Sequence, residues 1–264
     1  MKKIFEYLSA KPVATNLIVT SNNDIYRLVR QEINRLGEDA NLNHIDVSEV
    51  TDMENLFKDT NFCGIISKWD VSKVENMNCM FKGCKDFNCD LSRWNVCNVT
   101  SMREMFNGCE KFNSDISDWN VSKVEHMDGM FSGCTNFNQY IGDWNVSKVV
   151  SMSHMFQDCE NFNQDLSSWN VDNCSLFEAM FYKCKNFTYD LSSWNLFDTT
   201  RSKSLHGMFY KCKKLDFDMK KMKGIEDRRW LLGKDDYFIA FAGFTKNHLP
   251  DWMRTWTNPG WSKR

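Results

Sequence analysis

The sequence predicts a right-handed α/β solenoid of about seven coils, each 25 residues long. Three recurrences carry the prediction. Trp69, Trp94, Trp119, Trp144, Trp169 and Trp194 are spaced 25 residues apart. A Met-Phe pair follows each of the first five, with phenylalanine at Phe81, Phe106, Phe131, Phe156 and Phe181. Three residues later stands a cysteine: Cys84, Cys109, Cys134, Cys159 and Cys184. The terminal units are irregular: Ile45 replaces tryptophan and Thr60 replaces cysteine in the first, and the last has extra residues before Leu205. End units of a stacked array must face water, so atypical ends are expected.

Each unit divides into two predicted elements. Val74, Met77, Met80, Phe81 and Cys84 form one apolar stripe, which predicts a short helix. Ser72 with Glu75, and Ser122 with Glu125, have the spacing of a capping box ahead of it. The stretch DLSRW alternates, with Leu91 inward, and predicts a short strand ending near Trp94. One short helix and one short strand per coil give a leucine-rich-repeat-like solenoid with a parallel sheet. Strands stacked about 4.8 Å apart would make a sheet of roughly 30 Å. The tryptophan, phenylalanine and cysteine columns would be its continuous core.

Three regions follow. Residues 1–44 contain a helix carrying Ile25, Leu28, Val29, Ile33 and Leu36, with Asn22, Asn23 or Asp24 as its cap and Gly37 closing it. This region caps the array over residues 45–219. Residues 220–264 hold Trp230, Trp252, Trp256 and Trp261 and read as a C-terminal cap or a docking segment. In the docking alternative Trp252, Arg254 and Trp256 lie together, and Trp and Arg are enriched at binding hot spots.

Eleven cysteines would suggest disulfides in a short secreted chain. Here a column at fixed register instead predicts buried free thiols, which behave as small hydrophobes. There is no CxxC pair, which removes the zinc-finger and thioredoxin classes. Many free thiols favour a reducing compartment. Glu6 and Lys11 interrupt what would be a signal-peptide core. The chain as it stands is therefore expected in the cytoplasm, or at the cell surface if a leader was removed. No stretch approaches the roughly 20 apolar residues of a membrane helix.

Chemistry-bearing motifs are lacking. The five histidines, His44, His126, His154, His206 and His248, form no HExxH and occupy no column. His126 and His154 are expected to face solvent. Asp90, Asp115, Asp165 and Asp190 form a carboxylate column that Tyr140 interrupts. Bonding to turn backbone explains that column better than calcium, which needs six to eight oxygens per site. Asn88, Asn113, Asn138 and Asn163 read as a ladder of amides bonding to backbone. The expectation is no catalytic residue, no metal, no cofactor and no enzyme activity, the alternative being an effector whose activity lies in the C-terminal segment.

The net charge of -2 points to no nucleic-acid or membrane partner, although the net charge is -8 over residues 45–212 and +5 over 213–264. A protein partner would be read where units differ. The position before tryptophan changes through Lys68, Arg93, Asp118 and Asp143, and Tyr140 and Tyr189 stand out on the same stretch. A fixed scaffold with variable face residues suits protein recognition.

The phrase W-[ND]-V-S-x-V-x-x-M-x-x-M-F-x-x-C-x-x-F-N-x-D-[LI]-S, over roughly residues 45–219, resembles the repeat of BspA-type leucine-rich-repeat proteins, common in bacterial surface proteins and lipoproteins. The leader from Ser21 to Val50 resembles that family's entry helix and first coil. The resemblance implies a solenoid that binds other proteins, often in adhesion or host contact, and carries over no catalytic residue.

Overall fold

A computed structural model describes residues 17–19, 21–196, 203–215 and 217–222. Trp252, Arg254 and Trp256 lie outside the described residues, as do the first sixteen. The described chain is a repeat solenoid, but its coils are not built from a helix and a strand.

Apolar side chains return every third residue: Val71, Val74, Met77, Met80, then Phe81, Cys84 and Phe87. A helical stripe and a run of consecutive turns share that spacing. The destination of the backbone N–H groups separates them. The Val74 N–H donates to Val71 (3.0 Å), Cys84 to Phe81 (2.9 Å), Phe87 to Cys84 (3.1 Å) and Trp94 to Leu91 (3.0 Å). Each turn begins and ends on a buried side chain. From Met77 to Gly83 every second N–H leaves the coil. Met77 donates to Ser101 (3.0 Å), Cys79 to Arg103 (2.7 Å), Phe81 to Met105 (2.9 Å) and Gly83 to Asn107 (2.7 Å). An α-helix would have kept these bonds within itself.

The expected helix is therefore corrected to a staircase of turns. The reason is a pair of positive φ angles, 54° at Cys79 and 81° at Gly83, which no right-handed helix contains. The same two positions are left-handed in all seven coils, from Asn55 and Asp59 to Gly207 and Lys211. They flip alternate peptide units, so four rows of hydrogen bonds run coil to coil in one direction. Their dipoles align as those of a helix do. The capping boxes go with the helix. The Ser72 N–H instead takes Asp70 Oδ1 at 3.0 Å, and Glu75 donates to Thr51.

The strand is corrected too. Residues 91–94 form a turn. One bridge, Asn41 with Ile65, falls at the expected strand position of the first unit, but the repeating parallel pairing lies elsewhere, one rung per coil, at Asp52, Asn76, Ser101, His126, Ser151, Leu176 and Ser204. The two named strands, β1 (Leu17–Ile18) and β2 (Ile45–Asp46), pair in parallel at the N-terminal end.

Columns of identical residues make the core. Phe81 stacks on Phe87 within its coil (4.0 Å between centroids) and on Phe106 of the next (5.5 Å). Each such ring is fully buried, contributing about 1.5–3 kcal/mol. Polar atoms inside are satisfied one coil back. Trp94 Nε1–H donates to the Ile66 carbonyl (3.2 Å) and Trp119 to Leu91 (3.1 Å).

Helix α1 (Asn22–Leu36) closes the first coil. Its cap is Ser21, one residue before the expected Asn22–Asp24, and Gly37 terminates it at φ 99°. Asn22 instead serves the array: its Oδ1 accepts from the Thr51 N–H at 3.0 Å. Tyr26 Oη donates to the Glu54 carbonyl (2.7 Å), which no earlier coil reaches.

Candidate functional site

The rungs of the parallel ladder define one long face. Its backbone is the same in every coil, while its side chains are not. Between the buried Val74 and Met77 stand Glu75 and Asn76; the equivalent pairs are Thr100–Ser101, Glu125–His126, Val150–Ser151 and Ser175–Leu176. Beyond each rung follow Asn78, Arg103, Asp128, Ser153 and Glu178.

A groove of about 580 Å³ runs along this face over five coils, from Glu54 to Gln157. Its floor includes Gly129 and Ser132. Where the fourth coil has Gly129, the third has Glu104 and the fifth His154, and the Glu104 side chain lies over Gly129, 3.3 Å from where its Cβ would be. The Gly129 φ of 58° is the left-handed turn position.

The groove's charges are ordered by cross-coil contacts. Arg103 Nε meets Asp128 Oδ2 at 3.1 Å, and its Nη2 meets His126 Nδ1 at 2.8 Å. The other Asp128 oxygen accepts from Ser151 Oγ. Glu104 Oε2 takes Lys82 Nζ at 2.5 Å and Cys79 Sγ at 3.5 Å. Burial opposes ionisation of Glu104, but the Lys82 contact outweighs it and its carboxyl stays below the usual range. His154 is exposed and its Nδ1 meets Gln157 Oε1 at 2.7 Å. This is a polar, preorganised recess of mixed charge. Its one thiol, Cys79, meets Glu104, but burial and that carboxylate push the thiol's pKa up and keep it protonated. Among the described residues no group of three or more His, Cys, Asp or Glu could hold a metal ion.

The residues singled out from sequence lie apart from the groove. Lys68, Arg93, Asp118 and Asp143 are exposed on the turn that precedes each tryptophan, not on a strand. Tyr140 and Tyr189 are exposed as well, and Tyr140 Oη donates to Asp143 Oδ1 at 2.9 Å. Asp90, Asp115, Asp165 and Asp190 each accept from the serine N–H two residues on. The asparagines bond across coils: the Asn113 N–H takes Asn88 Oδ1 and the Asn138 N–H takes Asn113 Oδ1, both at 2.9 Å. The groove residues escaped sequence reasoning because they fell on the solvent side of an expected helix. Their signal was the changing pair in M-N-C-M, M-R-E-M, M-D-G-M and M-S-H-M.

All eleven cysteines are free. No helix among the described residues is long and apolar enough to cross a membrane.

A family model described as "Mycoplasma protein of unknown function, DUF285" matches residues 27–137 and, overlapping, 105–222. Among solved structures the chain is similar to a leucine rich cell surface protein from Faecalibacterium prausnitzii, at 15% identity and a TM-score of 0.41, over 63% of this chain and 41% of that one. It therefore spans less than half the length of that protein. It is also similar to a leucine-rich repeat protein from Bacteroides ovatus, at 13% identity and a TM-score of 0.24, over 64% of this chain and 70% of that one. No curated protein matches.

Proposed function

The chain belongs to the DUF285 family, and from that premise we propose that it is a non-enzymatic protein-interaction scaffold that recognises a partner protein through the groove along its ladder face. The observation that carries this reading is a recess built from non-repeating side chains on a strictly repeating backbone. Such a frame fixes position and leaves chemistry free to vary, as recognition requires. The groove's polar groups are held by cross-coil contacts before any partner arrives, which lowers the ordering cost of binding.

Two other surfaces compete. One is the exposed ridge of Lys68, Arg93, Asp118 and Asp143 with Tyr140 and Tyr189; the other is the segment with Trp252, Arg254 and Trp256. Capture of partners from cell extract separates the three. Ser132→Arg with Gln157→Arg fills the groove, Asp118→Arg with Asp143→Arg recharges the ridge, and a chain ending at Met222 removes the tail. Loss of the captured protein on the first change alone is the expected result. Loss on the second or third alone transfers recognition to the ridge or the tail. Capture that survives all three sinks recognition through these surfaces.

The repeat phrase supports a BspA-type role in contact at a cell surface, whereas the free thiols support the cytoplasm. Fractionation of the native cells with protease shaving decides between them.

A further inference from the structure

The column formed by Asn107, Ser132 and Gln157 along the groove continues into Tyr182 and Tyr210. Their rings stack at 5.3 Å and 22°. Lys183 Nζ lies 5.2 Å from the Tyr182 centroid, and Lys211 Nζ 5.3 Å from that of Tyr210. Lys185, Lys213 and Lys214 follow, all exposed.

Six lysines of the array meet an acid of an adjacent coil, whereas Lys58, Lys68, Lys123 and Lys148 form no ion pair among the described residues. Lys73 meets Glu49 (2.6 Å), Lys111 meets Asp86 (2.6 Å), Lys183 meets Asp158 (2.9 Å) and Lys185 meets Glu160 (2.5 Å). In the columns of Lys183 and Lys185 the pairing stops at the seventh coil. Lys211 and Lys213 stand in the columns of Lys183 and Lys185, so the preceding coil offers each a lysine instead of an acid. Neither forms an ion pair among the described residues, and nor does Lys214. Like charges one coil apart repel, and a carboxylate laid beside them would relieve the repulsion.

We propose that this strip docks an acidic polypeptide segment of the partner protein, with carboxylates against Lys211, Lys213 and Lys214 and the chain lying over Tyr182 and Tyr210. The proposal rests on the protein-interaction reading and supplies the chemistry of the partner. A polypeptide is favoured because carboxylate side chains already meet these lysine columns within the array, at 2.5–2.9 Å. A single-stranded nucleic acid would stack its bases on open aromatic faces. Here each tyrosine covers a face of the other.

The test uses the full chain and a fluorescent peptide of repeated Glu-Asp-Gly, read by anisotropy at about 50 mM salt, where charge contacts are weakly screened. A thymidine oligonucleotide of equal charge and phosphatidylserine-containing vesicles serve as competing probes. The variant Lys211→Glu/Lys213→Glu/Lys214→Glu is expected to weaken peptide binding at least about tenfold. Lys220→Glu/Lys221→Glu, on the neighbouring turn Met219–Lys221, is expected to change it less than about twofold. Circular dichroism of both variants checks the fold. Equal weakening by the two variants overturns the proposal, as does oligonucleotide or vesicle binding that matches the peptide. A partner captured from extract as well by the triple variant as by the native chain removes the strip and leaves the scaffold reading standing. Failure to capture any partner removes the scaffold reading itself.

Discussion

The thiol of Cys134 donates to the carbonyl oxygen of Phe106, 3.0 Å away and one coil earlier. That carbonyl already accepts the Cys109 N–H of its own coil at 2.9 Å. The cysteine therefore fills the second lone pair of a buried acceptor, which an aliphatic side chain of similar size could not do. Cys84, Cys109, Cys159, Cys184 and Cys212 repeat the contact. In the first coil, with no earlier phenylalanine to reach, Thr60 turns its hydroxyl back to Phe57 at 2.7 Å.

This column predicts an alkaline weakness. Burial pushes the Cys84 thiol up to about 11 and the deeper column thiols higher still. The unfolded chain's thiols ionise near about 8.5. A group kept neutral in the fold stabilises it fully below the unfolded value, and the contribution is lost as pH rises towards the folded one. Each column thiol should then subtract about 1.4 kcal/mol per pH unit above about pH 8.5. Urea midpoints should fall steeply from about pH 8.5 to 11. Replacing Cys134 and Cys159 with alanine should lessen that slope by about 2.7 kcal/mol per pH unit, although the doubly substituted chain starts less stable. An unchanged slope would mean that these thiols are not held neutral in the fold.

A second expectation comes from the left-handed positions. Gly108 sits at φ 76°, and a Cβ there would have room, 3.6 Å from Gly83 Cα. Gly108→Ala should therefore cost about 1 kcal/mol from backbone strain alone. Ala179 occupies a left-handed position at φ 50°, so Ala179→Gly should leave stability unchanged or raise it by up to about 1 kcal/mol. A helix would reverse both signs. Thermal melts of the two variants thus distinguish the turn staircase from the helix that the apolar spacing suggested.

Those two positions also show why legibility stopped where it did. The tryptophan, phenylalanine and cysteine columns were readable because large residues at a fixed period have one economical explanation, a stacked array. The local conformation was not, since turns and helices both return a side chain at the third residue. Only the φ signs separate them, and Cys79, Glu104, His154 and Ala179 hide those signs behind ordinary side chains. The groove went unseen for the same reason. Asn78, Arg103 and Asp128 read as the wet side of a helix, and only the coil-to-coil stacking reveals that they share a face with Ser153 and Gln157.

Trp119 offers a third test. Its indole N–H donates to Leu91 at 3.1 Å, and its ring stacks on Trp144 at 6.5 Å. Trp119→Phe removes the donor and part of the buried volume, with an expected loss of about 1–3 kcal/mol. The neighbouring Phe106→Ala, in the centre of the phenylalanine stack, should cost about 3–5 kcal/mol. Chemical unfolding of the two variants gives the comparison, and a tryptophan variant as damaging as the alanine one would assign the indole a larger share of the core.

The N-terminal cap carries its own pH dependence. Glu32 lies on α1, 8% exposed, where a helix face read from sequence would leave it wet. Arg35 Nη2, one turn along the same helix, reaches its carboxylate at 2.5 Å, and His44 Nε2 at 3.0 Å joins the helix to the loop before β2. The Arg35 hydrogen bond holds the Glu32 carboxyl below its ordinary value. A carboxyl so depressed contributes stability above its unfolded pKa, about 4.3, and loses it as pH falls through the lower folded value. Below about pH 4, α1 should therefore loosen from the first coil before the central coils unfold, since repeats depend mainly on their neighbours. Hydrogen exchange of residues 22–36 against the amides of the fourth coil measures this directly. Glu32→Gln should show the loosened cap already at pH 7, with about 1–3 kcal/mol less protection in α1 and little change near Trp144. Uniform loss of protection along the array on acidification would instead place the acid-sensitive contact in the coils.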